Sequence, residues 1–197
     1  MSRPVHHGNL RAVLLEQAEV MLRDTGVDGL SLRELARQAG VSHGAPRSHF
    51  IDRQALLDSL AEQGFDRLTE KVKSALESPD AFAQRLRRVA HAYVDFGVDD
   101  AALMELMFAA KTKSGPVHEA AGRLFTAFDE AMGDNADRPA DDHARDRFKL
   151  LFAAMMQGTA TLVAAERISR SQGGMLVDDA VDVLLGSELG ARVLPGG

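Results

Sequence analysis

The chain has no cysteine among its 197 residues, so disulfides and thiolate metal sites are excluded and a reducing compartment suits it. It has no apolar run approaching the roughly 18 residues a membrane helix needs. The opening MSRPVHHGNLR also lacks the apolar core of a secretory signal. A soluble, cytoplasmic protein without membrane attachment is expected. No segment of any length alternates apolar and polar residues, so strands are not expected. Catalytic vocabulary is sparse too: there is no HExxH and no Walker loop, and the histidines are scattered. His6 and His7 are adjacent, so on a helix they face different directions, with no carboxylate partner nearby. His91 and Asp95 stand four apart, the spacing of an ordinary helix-surface pair. No enzyme, metal or cofactor is therefore expected.

An overall excess of positive charge is also missing, since the net charge is −6. Its distribution is uneven. Residues 1–53 carry seven Arg against six acidic residues and four of the seven His, while the remainder carries 16 Lys and Arg against 23 Asp and Glu. The acidic surplus lies in the C-terminal body, and the N-terminal end is free to approach phosphate.

The most informative stretch is residues 31–53, SLRELARQAGVSHGAPRSHFIDR. Ser31 with Glu34 fits a capping box: the hydroxyl accepts a first-turn N–H while Glu34 reaches back to the Ser31 N–H. Leu32, Leu35, Ala36 and Ala39 repeat at helical spacing, and Gly40 suits the left-handed residue that ends a helix. Val41 returns to the core, and Ser42 is placed to cap a second helix through about Phe50. Two short helices about a Gly-containing turn make a helix-turn-helix, whose second helix enters the DNA major groove.

The wording around this motif, LSLRELARQAGVSHGAPRSHFIDRQALL, resembles the DNA-binding signature of the tetracycline-repressor-like (TetR) family of bacterial regulators. Leu30, Leu35-Ala36, Ala39-Gly40-Val41-Ser42, His49-Phe50, Arg53 and Leu56-Leu57 carry the resemblance, which is close over roughly residues 8–65. Arg47 departs from it, standing where the family usually has a phosphate-contacting tyrosine; arginine can hold a phosphate or reach guanine bidentately. The resemblance implies that Ser31 and Arg33 meet the DNA backbone. It places His43, Gly44, Ala45, Arg47, Ser48 and His49 at the groove or its walls, and Arg53 on a further phosphate. Phe50 reads as core.

The rest of the chain reads as helices. A first, over residues 8–25, carries Leu10, Leu14, Ala18, Met21 and Leu22, and Gly26 closes it. Asp52 is a plausible cap for a long helix to about Leu76, which links a head of residues 1–53 to a body of residues 77–197. Further helices are expected over about 80–97, 99–108, 117–132, 142–170 and 176–190, with Gly97 and Gly115-Pro116 as breaks and 133–141 as the longest polar loop. The expected fold is all-α, with about nine helices: a three-helix DNA-binding head and a larger ligand-binding and dimerisation body.

By the resemblance, the last two helices, about 142–170 and 176–190, pair with their copies in a homodimer; Gly158, Ala160, Ala164 and Ala165 permit close approach. The resemblance also implies a small-molecule effector site in the body. Its candidate lining is His91, Tyr93, Phe96, Met104, Met107, Phe108, Phe125, Phe128, Met155, Gln157 and Thr159, although Met and Phe at helical spacing serve equally as core. The function so implied is a homodimeric repressor that leaves a palindromic double-stranded DNA operator when a small, apolar effector binds. The competing reading is a helical interaction module without sequence-specific DNA binding.

Overall fold

The computed structural model describes residues 10–109, 114–132 and 142–193. His6, His7, the loop of residues 133–141 and the C-terminal tail lie outside them. Among the described residues the chain is all-α: α1 (Leu10–Thr25), α2 (Leu32–Gln38), α3 (Arg53–Leu76), α4 (Phe82–Asp99), α5 (Ala101–Ala109), α6 (Pro116–Met132), α7 (Asp142–Ala164), α8 (Arg170–Leu185) and α9 (Glu188–Val193). Short 3-10 turns stand at Val27–Gly29 and Pro46–Ser48. None of the described helices is long and apolar enough to cross a membrane.

Two compact units divide the chain. The first ends at Gly64 and includes Ala102–His118; the second holds Phe65–Ala101 and the chain from Glu119 onward. In the first unit, the α1 stripe of Leu14, Leu15, Ala18, Met21 and Leu22 is buried, as are Leu35 and Ala36 of α2 and Leu56, Leu57 and Leu60 of α3. α5 packs closely on α3. A Cβ on Gly64 would lie 2.5 Å from Met107 Sδ and 3.2 Å from Leu103 Cγ.

In the second unit α4, α7 and α8 pack on one another, and α9 closes against α7 and α8. Gly173 brings α8 close to α7, because its missing Cβ would stand 2.5 Å from Val163 Cγ2. Lys149 of α7 is buried, with its ammonium 2.8 Å from Asp129 Oδ2 of α6 and 3.0 Å from Asp146 Oδ1. Arg87 of α4 pairs with Asp182 of α8, and His91 Nε2 lies 3.0 Å from Asp178 Oδ1 on that helix. His91 is thus engaged across a helix interface.

Several boundaries differ from the sequence reading. α4 runs through a buried Gly97 to Asp99, because one glycine costs a packed helix only about 1 kcal/mol. The helix expected over 142–170 stops at Ala164: the Arg167 N–H bonds to Leu162 O and the Glu166 N–H to Val163 O, with Glu166 at φ 54°. This is the closing hydrogen-bond pattern usually built on glycine. α8 then begins at Arg170 instead of about 176. Ser169 Oγ accepts the Gln172 N–H at 3.2 Å, and Gln172 Oε1 accepts the Ser169 N–H at 2.9 Å, a complete capping box.

Candidate nucleic-acid interface

Ser31 caps α2 as its spacing implies, its Oγ accepting the Glu34 N–H at 3.2 Å. The second half of the expected box does not form. Glu34 instead takes bonds from Arg37 Nε at 2.9 Å and from Gln38 Nε2 at 2.9 Å. These partners, Arg37 first, hold its carboxyl at about 2, below the ordinary 4.5. A cation and an amide one turn ahead outcompete a single backbone N–H behind. At the other end Gly40 is left-handed (φ 67°), its N–H reaching Arg37 O and the Val41 N–H reaching Ala36 O. This Schellman arrangement stops α2 and turns the chain sharply.

The second helix of the motif, expected from Ser42 to Phe50, is instead a tight turn. Its bonds run Ala45 N to Ser42 O, Arg47 N to Gly44 O, Ser48 N to Ala45 O and His49 N to Pro46 O. Pro46 is the cause. It has no N–H to give the Ser42 carbonyl, so that carbonyl takes the Ala45 N–H one residue earlier and the winding tightens. Pro46 is buried, and so is Phe50, at 1 % exposure. The Arg11 guanidinium of α1 stands 5.5 Å from the Phe50 ring centre and donates to Ser59 Oγ of α3 at 3.1 Å. One cation thus fastens the turn between two helices.

Above this floor Ser42, His43, Gly44, Arg47, Ser48 and His49 are exposed and Ala45 is half-buried. Ser48 Oγ donates to Ala45 O at 2.7 Å, which leaves its lone pairs outward. Arg33 is exposed on α2. Arg53 has a further role that spacing did not reveal: its Nε donates to Leu30 O at 2.8 Å and its NH2 to Val27 O at 2.5 Å. It ties the start of α3 to the turn before α2. Asp52 caps α3, accepting the Ala55 N–H at 2.8 Å. All nine candidate DNA contacts fall in the first unit. Pro46 and Arg11 were missed; Pro46 was visible as a residue that a continuous helix does not accept at that place.

A family model for bacterial regulatory proteins of the tetR family matches residues 14–60, the segment that holds these candidate residues. A second, for the tetracyclin repressor-like C-terminal domain, matches residues 86–185, half of the chain. The chain belongs to the TetR family of transcriptional regulators. A class C tetracycline repressor protein from Escherichia coli is 42 % identical over 52 residues, 26 % of this chain and 24 % of that repressor. The match thus spans about a quarter of the repressor. A solved Rhodococcus protein of unknown function is 38 % identical, with a TM-score of 0.81 over 98 % of this chain and all of that one. The TetR family transcriptional regulator PfmR from Thermus thermophilus shares the fold at 17 % identity, with a TM-score of 0.61 over 89 % of this chain and 98 % of PfmR.

In this TetR-family chain the residues expected around an effector divide between the two units. Met104 and Met107 are buried in the first, where Phe108 is 48 % exposed. In the second, Tyr93 is buried and donates to Gln157 Oε1 at 2.9 Å, and burial pushes its phenol pKa up. Phe96 lies under Arg67 at 5.8 Å, and Phe128 tilts against Phe152 with ring centres 5.2 Å apart. Phe125, Met155 and Gln157 are half-buried. Thr159 is buried with its hydroxyl on Met155 O. Of the expected lining, His91 borders a cleft of about 90 Å³ with Val94, Asp95, Arg170 and Val177. A more open groove of about 600 Å³ lies against Val98, Val163, Arg167, Ser169 and Gln172.

Proposed function

We propose that this chain is a homodimeric repressor that reads a palindromic operator in the cytoplasm and leaves it when a small, apolar effector binds. The observation that carries this reading is the exposed segment Ser42–His49, which rests on buried Pro46 and Phe50. It offers a guanidinium, two imidazoles and two hydroxyls beside two small residues, a set suited to base edges and phosphates at close approach. Ser31 and Arg33, at the start of α2, supply a positive helix end and a cation for backbone phosphate.

Dimerisation through α7 and α8 has physical support. At about 100° per residue, Leu150, Leu151, Ala154, Gly158 and Leu162 share one stripe about 120° wide on α7. Leu150, Leu151 and Leu162 are exposed on it. Met175, Leu176 and Val183 are exposed on α8. Apolar surface of this kind, centred on small residues, seeks a partner, and a second copy brings a second head to a half-site about 34–36 Å away. We assign the effector to the second unit, beside Tyr93 and Gln157, which supply the polar contact. It acts only by binding the released state more tightly than the DNA-bound one.

The test is selection of bound fragments from the host's genomic DNA by purified protein at near-physiological salt, where nonspecific phosphate binding is weak. An Arg47→Ala, His49→Ala variant runs alongside. A palindrome enriched by the parent and not by the variant is expected. No enrichment by a folded dimer refolded free of ligand would refute the reading in favour of an interaction module.

A further inference from the structure

Ile51 carries the largest exposure of any large hydrophobic side chain among the described residues, 85 % against 69 % for Val183. Single exposed apolar residues are common, so position decides its meaning. Ile51 stands two residues beyond His49, between two fixed points. On one side Phe50 is 1 % exposed, its N–H bonded to Pro46 O at 2.8 Å. On the other, Asp52 caps α3. The backbone is therefore held, and an apolar branched side chain is presented in advance at the end of the recognition segment.

The surrounding charge is as informative. Asp52 is acidic, and Arg53 gives Nε and one NH2 to the Leu30 and Val27 carbonyls. This corner of the head offers an apolar surface beside a cation that is already engaged. Apolar contact with the thymine 5-methyl group is the way such a side chain reads a base.

We propose that Ile51 is a specificity-determining residue, packing on a thymine methyl at the edge of each half-site; the inference rests on the DNA-binding reading above. The test uses the duplex recovered by the genomic selection, synthesised once with thymine and once with uracil in its place, so that the methyl groups alone are removed. The parent should bind the thymine duplex roughly fourfold more tightly for each methyl that Ile51 covers, the equivalent of one buried carbon. Ile51→Ala should lose that share of the preference with an unchanged thermal midpoint. Ile51→Lys should bind both duplexes more tightly, with a salt slope steeper by about one. An Ile51→Ala variant that keeps the parental affinity and thymine-to-uracil ratio overturns the proposal. So does an equal loss on both duplexes, which would mean sugar contact without base reading. Failure of the parent to select any sequence overturns the DNA-binding reading itself, and this inference with it.

Discussion

Adjacent glycines in α8 provide a controlled test of how tightly α7 and α8 are packed. Gly173→Ala and Gly174→Ala occupy the same helix, so each gains up to about 1 kcal/mol of helix propensity. They differ in what the new methyl meets. At Gly174 it would lie 3.9 Å from His91 Cε1, an ordinary contact; at Gly173 it would lie 2.5 Å from Val163 Cγ2. Ordinary contact starts near 3.4 Å, so α8 would have to retreat from α7 by roughly 0.9 Å or Val163 would have to turn. Val163 is 7 % exposed and β-branched, so its χ1 is stiff. Overpacking of this kind costs about 1–3 kcal/mol. Propensity cancels between the two variants, so Gly174→Ala should be more stable than Gly173→Ala by about 1–3 kcal/mol, or about 2–12 °C in midpoint for a chain of this length. Urea and thermal unfolding should be run at one fixed protein concentration, since subunit association would shift both. Val163→Ala should rescue Gly173→Ala by more than the two effects added separately. Equal stability of the two glycine variants, or no coupling to Val163, would refute the close approach.

Four further outcomes follow from named contacts. Asp129→Ala removes one of two carboxylates from the buried Lys149 ammonium; because Asp129 is 41 % exposed and Asp146 remains, the loss should be about 1–2 kcal/mol in urea unfolding, and no loss would mean the cation is solvated. Arg53→Ala takes the guanidinium from the Leu30 carbonyl and leaves the Val27 carbonyl with only the Leu30 N–H, so it should destabilise the folded protein by about 1.5–3 kcal/mol in the absence of DNA; an unchanged midpoint would leave Arg53 only its proposed contact with DNA. Glu166 holds φ 54° without being glycine, so Glu166→Gly should stabilise by about 0.5–1 kcal/mol after the entropy of the new glycine is subtracted, and a destabilised variant would contradict the closing geometry of α7. Glu34, held at about 2 against an ordinary 4.5, has the depressed value in the folded state. Its contribution is full above 4.5 and fades as pH falls toward 2, so a carboxyl NMR titration showing an ordinary midpoint would refute the Arg37 and Gln38 contacts.

The parts of the fold legible in sequence were those decided by one residue and its immediate neighbours. Ser31, Gly26, Gly40 and Asp52 each act through a bond to a backbone group a few positions away, and a cap or a left-handed glycine needs nothing from the rest of the chain. Where two local signals competed, spacing alone chose badly. Helical periodicity carried the recognition segment through Pro46, although the missing N–H already forbade the bond a regular turn needs there. Gly173-Gly174 hid the start of α8 from a propensity reading, while Ser169 and Gln172 announced it through their own box. Partners distant in sequence were not legible at all. Neither Arg53 on carbonyls 23 and 26 positions back nor Met107 against Gly64 leaves a local pattern. The same limit governs the site. The proposed reading surface is one continuous segment whose chemistry can be named residue by residue, whereas the candidate effector residues are drawn from several helices in two units. A mutation in the recognition segment should therefore alter binding on its own terms, whereas a mutation in the body acts through its packing neighbours as well, and needs a stability measurement beside it before it can be assigned to the effector.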